Sequence, residues 1–179
     1  MIDAPTPHEP APRLEAIFRA IAGSRMAGVS ILNPALEVEA VGFRRWGDDW
    51  VGVLITPWFM SLICLPDAAS ASETPPWQTQ AHGTKREVEL PSGTYEFLSA
   101  HEDELGPYLT SSLFSPMFAF PDMIQAREVA ATVLAEVFSL PEPDAALVAR
   151  PPVGLVARLE QPVSRRGFLG ALLRPGEKT

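Results

Sequence analysis

The side chains able to handle protons or metal ions are few in this chain, and their spacing suits neither task. Glu102, Asp103 and Glu104 stand in a row behind His101 and offer carboxylates for metal or acid/base work. Three consecutive residues in a strand or turn point in different directions, so they do not converge on one ion. A solvated acidic face is the expected role, with an electrostatic use. His8, His82 and His101 lack a second His or Cys at the spacing a zinc site needs. Cys64 is the single cysteine; it cannot close an internal disulfide, has no basic neighbour to activate it, and reads as a small core residue. No nucleophile elbow, Walker loop or dinucleotide fingerprint is present. The expectation is therefore a binding protein with no catalytic residue, metal or cofactor; a small enzyme built on His101, Glu102 or Asp103 is the alternative.

Chemistry for contact is better supplied. Trp58, Phe59 and Met60 follow Pro57, and Tyr108, Phe114, Met117 and Phe118 gather around Pro116. A regular strand buries only alternate side chains, so some of these residues face outward or line a groove. Aromatic and methionine side chains suit an adaptable surface for a peptide, and these seven are assigned as partner-binding residues. A large core uses the same residue types.

Charge divides the chain. Residues 1–140 carry 8 Lys/Arg against 18 Asp/Glu, a balance of −10, whereas residues 141–179 carry 6 against 4, a balance of +2. An acidic body disfavours nucleic acid and anionic lipid and attracts a basic segment, with Glu102, Asp103 and Glu104 as steering charges. The C-terminal part contains Ser164-Arg165-Arg166-Gly167-Phe168-Leu169, which resembles the twin-arginine export motif. That motif normally opens an N-terminal signal peptide. Here only Gly170–Leu173 follow before Arg174 and Pro175, too few residues for an apolar region. Two roles are open for Arg165, Arg166, Phe168 and Leu169: a tethered mimic of a client's signal, or part of a disordered tail whose arginines aid solubility. The N-terminal residues show neither a basic nor an apolar targeting region, so the expected location is the cytoplasm, without membrane insertion.

The elements that must carry these residues follow from pattern. Trp50–Leu65 is uncharged and apolar with Pro57 near its middle, which predicts two buried strands bent at Thr56-Pro57. At 16 residues with a proline it is too short to span a membrane. Leu14, Ile17, Phe18 and Ile21 form one helical stripe, stopped at Gly23 or Gly28. Leu36, Val38 and Ala40 alternate with Glu37 and Glu39 as a half-buried strand that turns at Gly47-Asp48-Asp49. Lys85–Leu90 and Thr94–Ser99 predict a hairpin about Pro91-Ser92-Gly93, and Tyr108–Phe114 a further strand. Asp122 with Gln125 forms a capping box before a second helix that ends at Pro141. The expected fold is α+β: a mostly antiparallel sheet of about five strands, covered on one face by an N-terminal and a C-terminal helix. The expected organisation is a disordered lead-in at 1–12, one domain at 13–140, and a proline-rich tail at 141–179.

Four blocks carry a resemblance. Asn33–Phe43, Val51–Met60, Leu90–Phe97 and Tyr108–Met117 are similar to the nickel-iron hydrogenase assembly chaperones of the HybE and HupJ type, over roughly Leu14 to Phe138. The resemblance implies a non-enzymatic maturation factor that binds hydrogenase subunits and holds a small subunit bearing a twin-arginine signal until its cofactors are in place. It allows the large subunit as a second partner, or a scaffold that joins subunits without touching the signal. A monomer or weak dimer is expected. This chain has Ser111 where relatives carry Cys, so the resemblance carries over no thiol role at that position.

Overall fold

The computed structural model describes residues 9–67 and 80–140. The expected lead-in lies mostly, and the tail wholly, outside the described residues. In chain order the elements are α1 (Ala11–Gly23), β1 (Glu39–Trp46), β2 (Asp49–Ile55), β3 (Met60–Pro66), β4 (Lys85–Leu90), β5 (Gly93–Glu102), β6 (Gly106–Phe114) and α2 (Met123–Val137). The strands form one antiparallel sheet in the order β1-β2-β3-β6-β5-β4. Six strands enter it, close to the number expected, and Thr56 closes the turn between β2 and β3: its Oγ1 accepts from Phe59 N at 2.9 Å, and its backbone N–H donates to Phe59 O at 2.8 Å. Both halves of the apolar run therefore stay in the sheet.

The two helices lie on opposite faces, not on one. Val51, Val53, Ile55, Leu62 and Cys64 pack in the α2 cluster, while the intervening Trp50, Leu54, Ile63 and Leu65 pack in the α1 cluster. This explains the unbroken apolar run, since β2 and β3 have no wet face. It also corrects the pattern assigned to Leu36, Val38 and Ala40. Leu36 joins the α2 cluster and Val38 the α1 cluster, because residue 36 belongs to a turn (Leu36 N to Asn33 O, 3.1 Å) and the strand starts only at Glu39.

α2 begins with one half of the expected capping box, since the Gln125 side-chain oxygen has no hydrogen-bond partner among the described residues. Asp122 is extended, and its side chain accepts from Gln125 N at 2.9 Å. The helix lies close against β1 at a bulge between Val41 and Arg44, where Gly42 has φ +60° and an added Cβ would stand 2.6 Å from Leu134. The outer strands are tied at one corner by Trp46 Nε1, which donates to Glu89 O at 2.8 Å. Trp46 also meets Phe138 edge to face, so the end of α2 and both sheet edges share that corner.

Candidate functional site

Two surfaces hold the residues singled out by the sequence. The first is a cleft of about 270 Å³ between α1 and the β5–β6 turn. Ile17, Ala20, Ile21, Ser24 and Arg25 line its helical side, and Glu102, Asp103 and Glu104 line the other. α1 is held across the turn at both ends: an Arg13 guanidinium N–H donates to Glu104 O, and Arg25 pairs with the Glu102 carboxylate at 2.6 Å. Glu102 is thus ion-paired within the chain. The Asp103 side chain is fully exposed and stands 3.9 Å from His101 Nδ1. Beneath the turn, Tyr108 is buried against Phe18, and desolvation together with the Glu102 charge pushes its hydroxyl up to about 12. The cleft joins apolar helical side chains to an acidic rim within one turn of chain.

The second surface is the end of the sheet where three proline-bearing loops meet. Asn33 is their junction. Its side-chain Nδ2 donates to Met117 O (3.0 Å) and Phe120 O (2.7 Å), its Oδ1 accepts from Ala35 N, and its backbone N–H donates to Pro57 O at 2.8 Å. Ser115-Pro116 is cis, and Phe120 N donates to Met117 O. Phe118 is therefore carried on a short turn pinned at both shoulders, with 60 % of its surface exposed. An aromatic presented this way keeps its contact area at little further ordering cost.

The structure divides the seven aromatic and methionine residues between the sheet faces. Met60 and Met117 are fully buried on the α2 side, where Phe114 meets Phe120 edge to face at 5.1 Å. Phe59, half buried, packs on Phe18 at 5.9 Å and on Trp58 at 5.6 Å, on the α1 side with buried Tyr108. Of the seven, Phe118 is the exposed one, and Trp58, Phe59 and Phe114 are half buried. Ser111 is buried on β6 opposite Leu62. Arg165, Arg166, Phe168 and Leu169 lie outside the described residues. Among the described residues no three His, Cys, Asp or Glu side chains are grouped to hold a metal ion. Cys64 is buried and hydrogen-bonded to Asp49, and desolvation raises its thiol well above the ordinary range. No helix among the described residues is long and apolar enough to cross a membrane.

Sequence inspection missed the apolar half of the cleft and the role of Asn33. Ile17 and Ile21 read as one stripe of a buried helix, and the structure keeps Ile17 buried and Ile21 half buried; their placement beside the acidic turn depends on contacts made across 77 to 91 residues of chain. Asn33-Pro34 signals a loop, but nothing local shows that its amide bridges to residues 84 and 87 positions away.

Comparison with known proteins agrees with this architecture. The family described as "[NiFe]-hydrogenase assembly, chaperone, HybE" matches residues 9–171. The hydrogenase expression/formation protein HupT of Azotobacter chroococcum is 46% identical over 132 residues, covering 73% of this chain and 83% of that protein. HupJ of Bradyrhizobium diazoefficiens, another hydrogenase expression/formation protein, is 36% identical over 160 residues, 89% of this chain and 86% of its own. The solution structure of HybE from Escherichia coli superposes with a TM-score of 0.59 at 25% identity, over 85% of this chain and 91% of that one.

Proposed function

The chain belongs to the HybE family of nickel-iron hydrogenase assembly chaperones, and from that premise we propose that it binds the hydrogenase small subunit through its twin-arginine signal peptide. In this proposal it acts in the cytoplasm, as a monomer or weak dimer without catalysis, before cofactor loading and export, and it can also meet the large subunit. The observation that carries the proposal is the cleft between α1 and Glu102–Glu104. A twin-arginine signal places two guanidinium groups next to large apolar side chains. The cleft offers Asp103 and Glu104 beside Ile17, Ala20 and Ile21 in matching proximity. Its volume of about 270 Å³ is large enough to take one or two side chains of a peptide. Arginine is the suited partner because its planar fork donates to carboxylates in pairs.

The test is a twin-arginine peptide titrated into the chain and into a variant with Asp103→Asn and Glu104→Gln together, which leaves the Arg25–Glu102 pair in place. Affinity is expected to fall at least about tenfold, about 1.4 kcal/mol, with folding unchanged. Equal affinity would remove the cleft from signal recognition. A second proposal, a scaffold that joins hydrogenase subunits without reading the signal, is favoured by exposed Phe118 on its pinned turn. In that case Phe118→Asp abolishes binding to a signal-less subunit and the acidic variant does not.

A further inference from the structure

We propose that the chain's own Ser164–Leu169 segment occupies the cleft between α1 and the β5–β6 turn when no client is bound, an inhibitory self-contact that rests on the signal-binding proposal above. The segment carries Arg165 and Arg166 two positions before Phe168-Leu169, the same order of charge and apolar bulk that the cleft's acidic rim and Ile17, Ala20 and Ile21 complement. Complementarity extends beyond the motif, with a balance of +2 in residues 141–179 and −10 in residues 1–140. Length is sufficient. Residues 141–164 place 24 residues between Leu140 and Arg165, and a chain of that length can reach at most about 80 Å. α2 ends beside the β4–β5 turn, where Ser92 N donates to Val137 O at 3.1 Å, and the cleft lies at the other end of β5 on the opposite face; a body of this size is roughly 36 Å across, so the path around the sheet is shorter than that reach.

Tethering makes a weak contact matter. Covalent attachment over this chain length sets an effective concentration on the order of 1 mM. With an intrinsic dissociation constant on the order of 0.1 mM, the self-contact would lower the apparent affinity for a client about tenfold. The tail cannot outcompete a full signal, because only Gly170–Leu173 follow its motif before Arg174. Displacement by an authentic signal is the built-in release.

The experiment compares three proteins: the full chain, a chain ending at Pro162, and the full chain with Arg165→Ala and Arg166→Ala. A fluorescent twin-arginine peptide reports affinity, and amide spectra of the full and shortened chains report occupancy. Both variants are expected to bind the peptide about tenfold more tightly, with amide shifts at Ile17, Ile21 and Asp103 on removal of the tail. Equal or weaker peptide binding by both variants overturns the self-contact and leaves the signal-binding proposal standing. If none of the three binds the peptide, signal binding fails, and the spectra decide alone: shifts at those residues sustain the contact and their absence overturns it. Shifts that fade on dilution, with a dimer by sedimentation, would assign the segment to a second copy's cleft and overturn the intramolecular contact.

Discussion

Replacing Asn33 by Asp tests whether one amide holds the loop end together, since the two side chains have nearly the same size. The substitution keeps the Oδ acceptor that meets Ala35 N and removes the Nδ2 donor shared by Met117 O and Phe120 O. A buried polar group left without its partner costs about 1–3 kcal/mol. Two such carbonyls, partly relieved by relaxation, set the expected loss at about 2–4 kcal/mol near neutral pH. With m for urea of about 2 kcal/mol/M, the midpoint of unfolding falls by roughly 1–2 M. A pH signature accompanies it. Burial against two carbonyl oxygens raises the introduced carboxyl above its unfolded value of about 3.9. Below that value the acid is neutral in both states and can donate to one carbonyl. As pH rises toward the raised folded value, the unfolded state ionises first, and the penalty grows by up to about 1.4 kcal/mol per pH unit. Urea melts followed by tryptophan fluorescence at pH about 5.5 and about 7.5, each against the parent chain, measure both effects. An unchanged midpoint at the higher pH, or a loss independent of pH, would refute the assignment of Asn33 as the donor joining the loops.

Gly52→Ala should destabilise by about 1–3 kcal/mol in the same melts, because the new Cβ would lie 2.4 Å from the Phe43 ring. Cys64, raised by burial and by Asp49, should react with a thiol reagent at pH about 8 only as fast as the protein opens; a burst of labelling on the native chain would contradict that. Tyr108, pushed up to about 12 from an unfolded value near 10, contributes stability that is present below pH about 10 and lost as pH rises toward 12. Tyr108→Phe should therefore flatten the alkaline limb of the stability profile, as read from thermal melts across that window. Affinity for a twin-arginine peptide should fall as salt rises, since rim charges are screened over about 8 Å at physiological ionic strength; calorimetry at two salt concentrations checks it.

What could be read from sequence follows the range of the interactions involved. The Asp122 cap, the bend at Thr56-Pro57 and the hairpin about Pro91-Gly93 are local, and each appears in the structure where residue types place it. The antiparallel α+β architecture followed from them. The opposite placement of the helices did not, because an apolar run buried on both faces looks the same as one buried on a single thick side until the partners of Trp50 and Val51 are known. The aromatic and methionine residues after Pro57 and around Pro116 are continuous in sequence but alternate in space. Met60 and Met117 consequently went into the core while Phe118 came out. Glu102–Glu104 were recognisable as a charged turn, yet the helix facing them is brought there by Arg13 and Arg25, far away in the chain. The sequence order holds no trace of that contact.

We propose that a hydrogenase assembly chaperone of this family grips its client by the signal peptide. Calorimetric titration of the chain with a hydrogenase small subunit bearing its twin-arginine signal, and with the same subunit lacking it, tests this most directly. Binding of the signal-bearing form is expected, with loss of at least about tenfold in affinity when the signal is absent. Equal affinity for the two forms would contradict it and would move client recognition to the pinned turn carrying Phe118.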